Sequence, residues 1–285
     1  MTFGGVGKPM YVNAVARERC NIMRIAHVSA TQLNMFARCQ AGWMFSYVHN
    51  IKGKPSGAMT RGTCVHKGIS HNMIQKVESR VDLPVADVLD HYDATFTELS
   101  YDTSWKKDEK PGKEKDAGYR VLGHYQKTIA PETYPADVEQ SFKMFINWTE
   151  NEGEDNEEQK SVEFRGILDL ADVKGNLVEI KTTGQTPKRP RGADGLQLTG
   201  YYLGKEALEG KSYSPWLDYL VTTKDPKILS FPIRIEEPQK KFFLDNVPRI
   251  VKAMELENYY PARGSMYCSP TGCYYWDMCH DEFGG

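Results

Sequence analysis

Two short segments with alternating side chains constrain the fold of this chain more than any other feature of its sequence. Residues 162–173 and 177–182 alternate between apolar and polar side chains, and residues 174–176 (Lys-Gly-Asn) separate them. An alternation with a period of two is typical of a β-strand, and a three-residue loop with one residue in the left-handed conformation commonly closes a hairpin. We therefore predict an antiparallel β-hairpin in which Gly175 or Asn176 supplies the left-handed residue.

The loop length decides which side chains share a face of the hairpin. With a three-residue loop, one face carries Asp169, Glu179 and Lys181. The predicted pairs are Val173 with Leu177, Ala171 with Glu179 and Asp169 with Lys181, and the apolar face carries Phe164, Leu168, Leu170, Val178 and Ile180. A two-residue loop would instead bring Asp172 opposite Glu179 and divide the apolar residues between the two faces. Because a slip of one residue moves every side chain to the other face, burial of the apolar set favours Asp169 over Asp172.

Two carboxylates and one lysine on the same face suit phosphoryl chemistry. Mg²⁺ prefers oxygen ligands, commonly takes one or two carboxylates, and keeps water and substrate phosphate in its other positions. A bound divalent ion polarises a phosphoryl oxygen and lowers the pKa of its water, and a neighbouring ammonium group can orient that water. A solvent-exposed hairpin with an ordinary Glu–Lys pair would contain the same residues, so the hairpin alone leaves both interpretations open.

The elements on either side of the hairpin indicate a mixed α/β fold. Ser29 and Gln32 form the start signal of a helix that continues towards Tyr47, and a second helix carries His66 near its beginning. Further predicted elements are a mostly helical region from 71 to about 160, a helix from about Asp194 to Glu209, strands near 216–223 and 228–235, and a helix over about 238–259. Strands and helices in one continuous block predict a central mixed sheet flanked by helices.

Composition and charge bear on location and partners. The chain has no apolar run of the roughly 20 residues that span a bilayer. Its N-terminus lacks a long apolar stretch after a basic start, so it does not read as a secretory signal. We therefore expect a cytoplasmic protein, in a prokaryotic cell or a phage-infected host, with no membrane partner. The net charge of −2 gives no overall attraction to nucleic acid, so a polyanion must be drawn by local patches such as Lys188-Arg189-Pro190-Arg191, a run that also suits a solvated loop.

Six cysteines are distributed unevenly along the chain. Cys39 lies in the first predicted helix, whereas Cys268, Cys273 and Cys279 lie close together near the C-terminus. In a reducing cytosol, clustered cysteines indicate metal ligands or reactive thiols and not disulfides. Four cysteinyl sulfurs can hold Zn²⁺ or an iron–sulfur cluster, and spacing alone does not distinguish the two. The remaining thiols, Cys20 and Cys64, are expected to be free.

The hairpin resembles the catalytic signature of the PD-(D/E)XK nucleases. Asp169, followed in the second strand by Glu179-Ile180-Lys181, is similar to the bipartite motif of that superfamily. Leu168 stands where the family often has proline, a departure that leaves the carboxylate in place. The resemblance implies a restriction-endonuclease-like core and a metal-dependent nuclease.

Two flanking motifs resemble the RecB-like branch of the superfamily. Gln197 and Tyr201 are similar to its Q-x-x-x-Y motif and share one face of the predicted helix. The segment Arg61-Gly62-Thr63-Cys64-Val65-His66 resembles the part of the family in which a histidine approaches the metal. The order of these motifs along the chain is the order that the family has.

The cysteines resemble those of iron–sulfur members of this branch, namely the AddB-type nucleases and the CRISPR-associated RecB-like exonucleases. That resemblance implies that Cys39, Cys268, Cys273 and Cys279 hold a [4Fe–4S] cluster, which staples the two ends of the nuclease domain together; Zn²⁺ is the alternative. Cys268 and Cys273 enclose four residues, where the family often has two, and this departure leaves the geometry of the cluster open.

The resemblance also implies roles for individual residues. His66, Asp169, Glu179 and the carbonyl of Ile180 would bind Mg²⁺ or Mn²⁺, and Lys181 would position or activate the attacking water. Gln197 and Tyr201, helped by Lys188, Arg189 and Arg191, would contact DNA. The implied reaction is the hydrolysis of phosphodiester bonds in linear DNA with single-stranded ends, as in a phage or prokaryotic exonuclease of recombination, replication or repair, for which a recombination or annealing protein is a candidate partner.

The predicted organisation is one nuclease domain after a short extension. Residues 1–24 form the extension and residues 25–285 the domain, with a mostly helical insertion over 71–160, a catalytic sheet core over 161–235 and a cysteine-rich end over 260–285. Other functions stay open: a CRISPR-adaptation nuclease that trims spacers, a DNA-binding scaffold that does not cut, and a zinc-stapled structural protein.

Overall fold

A six-stranded mixed sheet lies at the centre of the part of the chain that the computed structural model describes, residues 24–151 and 157–284. The strands are β1 (His27–Ser29), β2 (Pro135–Asn151), β3 (Glu157–Asp172), β4 (Asn176–Thr183), β5 (Ser214–Val221) and β6 (Lys227–Pro232). The helices are α1 (Ala30–Arg38), α2 (Gln40–Trp43), α3 (Gly57–Ser79), α4 (Val85–Ser100), α5 (Pro111–Thr128), α6 (Gly192–Glu209), α7 (Glu237–Glu255) and α8 (Trp276–Phe283). The predicted class, a central mixed sheet flanked by helices, is confirmed.

The sheet has the order β1–β3–β4–β5–β6, and β2 pairs with β3. β1 runs parallel to β3 and β4 runs parallel to β5, whereas the other pairs are antiparallel. Among the described residues, no helix is both long enough and apolar enough to cross a membrane.

Two hydrophobic cores sandwich the sheet. The first lies against α1, α6 and α7 and includes Phe36 and Phe243. The second lies against α3, α4 and α5 and includes Ile69. Leu177 and Ile180, which point to opposite faces of β4, belong to the first and the second core respectively.

The predicted pairing of the hairpin is wrong by two residues. The structure pairs Ala171 with Leu177, where the sequence analysis paired it with Glu179. The carboxylate of Asp172 accepts the backbone N–H groups of Lys174 and Asn176, at 2.9 and 2.8 Å, and thereby closes the turn one residue earlier. A shift of two residues keeps the alternation of faces, so Glu179 and Lys181 still point the same way.

Strand β3 changes its core-facing side at Asp169. Leu168 packs in the first core and Leu170 in the second, so the single apolar face predicted for the hairpin is divided. In the partner strand β2, the ladder passes from Gln140 (opposite Leu168) to Val138 (opposite Leu170), and the residue between them, Glu139, has a φ of +50°. A left-handed residue twists a strand locally. The twist therefore lies directly beside Asp169.

Several predicted boundaries differ from the structure. The region 71–160 is helical only as far as Thr128 and the short 3-10 turn after it, because β2 and the start of β3 form a long ribbon from residue 135 onward. The sheet accordingly extends beyond the predicted core of 161–235. Helix α6 begins at Gly192 with Arg191 as its N-cap, so Asp194 is not the cap. The predicted extension, apart from Arg24, lies outside the described residues, as does Cys20.

The first predicted helix is interrupted at Cys39. Ser29 caps α1 by accepting the N–H of Gln32, as predicted. Cys39 has extended backbone angles, and its Sγ accepts the N–H of Gly42 at the start of α2. A π-helical segment, Met44–Val48, follows α2. His66 lies near the middle of α3, not near its beginning.

Close contact between α6 and the sheet depends on glycine. A Cβ atom on Gly204 of α6 would lie 1.9 Å from Cε2 of the Phe142 ring. The ring cannot retreat, because its other side already abuts Gly166, where a Cβ would lie 2.4 Å from Cε1. This contact sets the distance between the sheet and the helix that carries Gln197 and Tyr201.

We expect Gly204→Ala to destabilise the fold. Alanine within a helix ordinarily stabilises by up to about 1 kcal/mol relative to glycine. Here overpacking against Phe142 should instead lower the free energy of unfolding by about 1–3 kcal/mol in urea denaturation. Gly123→Ala on α5 is the matched control, because a Cβ there would meet only Leu89, at 3.7 Å, and should leave stability unchanged or raised. Equal effects of the two substitutions would contradict this account.

Candidate active site

Asp169 is the residue around which the candidate site is assembled. Its Oδ2 accepts the backbone N–H of Ile180 at 2.7 Å, which joins β3 to β4 beyond their last ladder pair. Its Oδ1 lies 3.4 Å from Nδ1 of His66 on α3. The side chains of Asp169 and His66 are 14% and 26% exposed, so both are largely shielded from solvent but still accessible to it.

Glu179 and Lys181 on β4 form a network with Gln197 on α6. Oε1 of Glu179 accepts hydrogen bonds from Nζ of Lys181 at 2.5 Å and from Nε2 of Gln197 at 2.7 Å. Nζ of Lys181 also donates to Oε1 of Gln197 at 3.0 Å. Glu179 is buried, at 3% exposure, whereas Lys181 is 29% exposed. One amide side chain therefore fixes both the carboxylate and the ammonium group.

Burial and the neighbouring charges shift the pKa values of this group. Burial raises the pKa of Glu179, and the negative charge of Asp169 raises it further. Burial also acts to raise the pKa of Asp169, but His66 and the Ile180 N–H together hold it below its usual range. The pKa of His66 is raised because Asp169 and Glu179 outweigh the opposing effect of its burial. The two buried carboxylates, Asp169 and Glu179, thus repel each other, and both are stabilised by the nearby positive charges of His66 and Lys181.

A third carboxylate, missed in the sequence, completes a set of donors. One ligand atom each from His66, Asp169 and Glu139 lies within 4.8 Å of the others. Glu139 is exposed, and its Oε1 accepts a hydrogen bond from Ser70 at 2.7 Å. It fell in the region predicted to be helical. The alternation of apolar side chains after it, at Phe142, Met144, Ile146 and Trp148, is the signal that would have placed it on a strand.

This donor set fits a hard divalent cation. Carboxylate oxygens and one imidazole nitrogen are suitable ligands for Mg²⁺ or Mn²⁺. A cation would also relieve the repulsion that raises the pKa of Glu179. The N–H of Ile180 is committed to Asp169, and its carbonyl group stays a predicted ligand only.

The other residues predicted to contact DNA differ in how far they are buried. Tyr201 is mostly buried, and its ring packs edge-to-face on Phe142 with centroids 5.5 Å apart. Arg191 is held at the end of β4, because its guanidinium group donates to the Thr183 hydroxyl at 3.2 Å. Its backbone N–H also donates to the Tyr219 hydroxyl on β5 at 3.0 Å. Lys188 and Arg189 are exposed in the loop before α6.

Three of the four cysteines predicted to share a metal centre, namely Cys39, Cys273 and Cys279, pack against one small apolar cluster, and Cys268 lies near enough to raise the pKa of two of them. The Cys273 thiol has a pKa raised by burial and by the nearby Cys39 and Cys268. The pKa of Cys279 is raised by burial and by the other three thiols. Cys64 is fully buried in the second core, apart from this group.

Aromatic and backbone contacts support the arrangement of the cysteines. Phe45 stacks on Tyr275 with ring centroids 5.5 Å apart, and the Tyr275 hydroxyl donates to the carbonyl of Ile51 at 3.0 Å. The N–H of Ala41 donates to the carbonyl of Tyr260. Cysteine thiolates are the ligands of both iron–sulfur clusters and structural Zn²⁺, and a metal centre at these four residues stays a prediction.

Comparison with solved structures finds the same fold elsewhere. A protein from Eubacterium rectale, proposed to be an exonuclease, is similar over 96% of this chain and 94% of that chain, with 11% identity and a TM-score of 0.55. The solved structure of the protein SSO0001 aligns with 91% of this chain and 88% of that chain, with 12% identity and a TM-score of 0.41. No curated protein sequence matches the chain. At 11% identity, the first likeness shows a shared fold alone.

The sequence itself matches a family model. The model of the PD-(D/E)XK nuclease superfamily matches residues 27–280, which include the residues of the hairpin, α3 and α6 described above. Nucleases of this superfamily use divalent metal ions, in agreement with the donor set around Asp169. The chain belongs to the PD-(D/E)XK nuclease superfamily and is a nuclease.

Proposed function

We propose that this nuclease is a metal-dependent exonuclease that hydrolyses linear DNA with single-stranded ends. The observation that carries the proposal is the convergence of Asp169, Glu179, Lys181 and His66 at the point where β3 and β4 separate. These side chains come from three separate elements, so their meeting is a property of the fold and not of one local motif. The preference for DNA ends is supported by the resemblance of the motif order to that of RecB-like exonucleases.

Each residue has a distinct part in this proposal. Asp169, Glu179 and His66 hold Mg²⁺ or Mn²⁺, with Glu139, whose carboxylate lies beside the donor atoms of His66 and Asp169, and the Ile180 carbonyl as further ligands. The bound ion supplies a polarised phosphoryl oxygen and an acidified water molecule. Lys181, which is partly exposed beside Glu179, orients the attacking water and stabilises negative charge on the phosphate.

Residues of α6 and the loop before it position the substrate. Gln197 keeps Lys181 and Glu179 in place, because it contacts both. Tyr201 lies one helical turn further along and faces the strand that carries Asp169. Lys188, Arg189 and Arg191 contribute sequence-independent contacts to phosphates, whose strength falls as the salt concentration rises.

We also propose that Cys39, Cys268, Cys273 and Cys279 bind a [4Fe–4S] cluster that fixes the C-terminal segment to α2. Support comes from the meeting of four thiols from distant parts of the chain. Residues 25–285 then act as one nuclease domain, and recombination, replication or repair of phage or prokaryotic DNA is the process that suits it.

Replacing Lys181 should slow cutting strongly while DNA binding is retained. We expect Lys181→Ala to lower the rate of degradation of end-labelled linear single-stranded DNA by about 10²- to 10³-fold in Mg²⁺ or Mn²⁺. A closed circular single strand should resist the wild-type protein. Lys174→Ala, an exposed lysine in the turn of the same hairpin, is the control and should cut normally.

Two results would contradict the proposal. If the wild-type protein, loaded with its metal centre, binds DNA and cuts neither substrate, the chain is a DNA-binding scaffold that does not cut. If the circular strand is degraded as fast as the linear one, the proposed dependence on ends is wrong.

The metal centre at the cysteines has its own test. After anaerobic purification, the wild-type protein should contain iron and acid-labile sulfide, and Cys279→Ser should lose most of both. Cys64→Ala should retain them, because Cys64 is buried in the second core away from the four thiols. Zinc without iron in the wild-type protein would exclude the cluster and leave the Zn²⁺ alternative.

A further inference from the structure

Among the residues that the structure describes, none covers one face of the β2–β3 ribbon, which starts beside the candidate active site. On this face the odd-numbered residues of the two strands form successive cross-strand rows. From the active site outward, these rows are Ser141 with Ile167, Lys143 with Arg165, Phe145 with Glu163, Asn147 with Ser161 and Thr149 with Gln159. All of these side chains are exposed except Glu163, which is partly buried. We call this set of rows the ribbon face.

The ribbon face carries two cations directly opposite each other. Like charges in a cross-strand pair destabilise a sheet, so Lys143 opposite Arg165 is unfavourable for folding alone. Glu163 offsets one of the two charges by pairing with Nε of Arg165, and the pKa of Glu163 is lowered as a result. His27, beside Glu163 on β1, is the other titratable neighbour. Because Glu163 engages Nε of Arg165, the terminal nitrogens of Arg165 and the ammonium group of Lys143 can both contact an external anion.

Exposed apolar side chains interrupt the polar rows. Phe145 is 62% exposed and Ile167 is 53% exposed, although both lie on regular strands with an ample core on the other side. An exposed aromatic ring beside cations is the arrangement that binds single-stranded nucleic acid, because each unpaired base offers a face for stacking. In a duplex those faces are already stacked on neighbouring base pairs.

The ribbon face runs along β3 towards the candidate active site. Pairing with β1 ends at Arg165 and pairing with β4 begins at Leu170, so the intervening edge of β3 is not covered by either strand. A groove of about 830 Å³ runs here, and its lining includes His27, Ser29, Lys143, Arg165, Ile167 and Tyr201. Arg165 is four residues from Asp169 on the same strand, or roughly 13 Å at 3.3 Å per residue.

We propose that the ribbon face binds a single unpaired DNA strand and leads it to the metal site. Lys143 and Arg165 contact phosphates several nucleotides from the bond that is cut, and Phe145 stacks on a base. This inference rests on the proposed nuclease function and specifies its substrate as a single strand. The contacts are separate from those assigned to α6 and the loop before it.

Binding of a labelled oligothymidine of about 20 nucleotides tests the proposal, with Ca²⁺ in place of Mg²⁺ so that the strand is not cut. The double variant Lys143→Gln with Arg165→Gln should raise the Kd roughly tenfold near 0.1 M salt. Its slope of log affinity against log salt should be shallower by about 1.4, because each phosphate contact to a single strand contributes about 0.7. Phe145→Ala should raise the Kd roughly fivefold or more.

Lys160→Gln is the matched control, because Lys160 lies on the same ribbon but faces the other way, paired with Glu150. It should leave the Kd within about twofold and the slope unchanged. Thermal unfolding of all variants checks the fold, and the double variant should unfold at a temperature close to that of the wild type, because it removes both the repulsion between Lys143 and Arg165 and the surface ion pair of Arg165 with Glu163.

The outcomes separate this inference from the proposed function. If the wild type cuts DNA and the double variant keeps its Kd and its salt slope, the ribbon-face proposal is overturned and the nuclease assignment stands. If that variant instead changes the oligomeric state in sedimentation with unchanged DNA affinity, the face is an interface between copies of this chain. If the wild type neither binds nor cuts DNA, both proposals fail.

Discussion

The structure of the site depends on keeping two carboxylates, Asp169 and Glu179, close together away from water. Like charges in a buried place repel, and each also loses hydration. The protein offsets these costs with the charges of His66 and Lys181 and with the N–H of Ile180. These groups come from α3 and β4, while Asp169 itself lies on β3, so each of these three elements must be placed correctly before the carboxylates can be tolerated. A divalent cation would stabilise the same arrangement further, which joins metal binding to the stability of the fold.

The local twist of β3 explains how this strand packs in both cores and still places Asp169 in the site. Because Leu168 and Leu170 pack in different cores, the strand rotates at Asp169, and this rotation turns the carboxylate towards α3. The left-handed conformation of Glu139 on the neighbouring strand accompanies the rotation. A non-glycine residue in that conformation carries strain, and such strain persists where the surrounding structure holds it. Its position beside the donor atoms links a backbone irregularity to the candidate chemistry.

Sequence reasoning was strongest where chemistry and periodicity coincided. The faces of Glu179 and Lys181 could be predicted because alternation survives a shift of two residues, although the turn chosen by Asp172 could not be read from spacing alone. The region before residue 160 was predicted to be helical, and this missed the strand that carries Glu139. The pairing of that strand with β3 is not visible in a local window of sequence. The alternation of apolar side chains from Phe142 to Trp148 was a local signal for the strand, but the contact of Glu139 with the site depends on the pairing with β3.

The most direct test of this account is the position of Mn²⁺, located by its anomalous scattering in crystals of the full-length protein. The account predicts a peak within about 2.1 Å of carboxylate oxygens of both Asp169 and Glu179. It also predicts that this peak disappears in Asp169→Asn crystals grown with the same metal. A protein saturated with Mn²⁺ that shows no peak between these two residues would contradict the central claim that they form a metal-dependent cutting site.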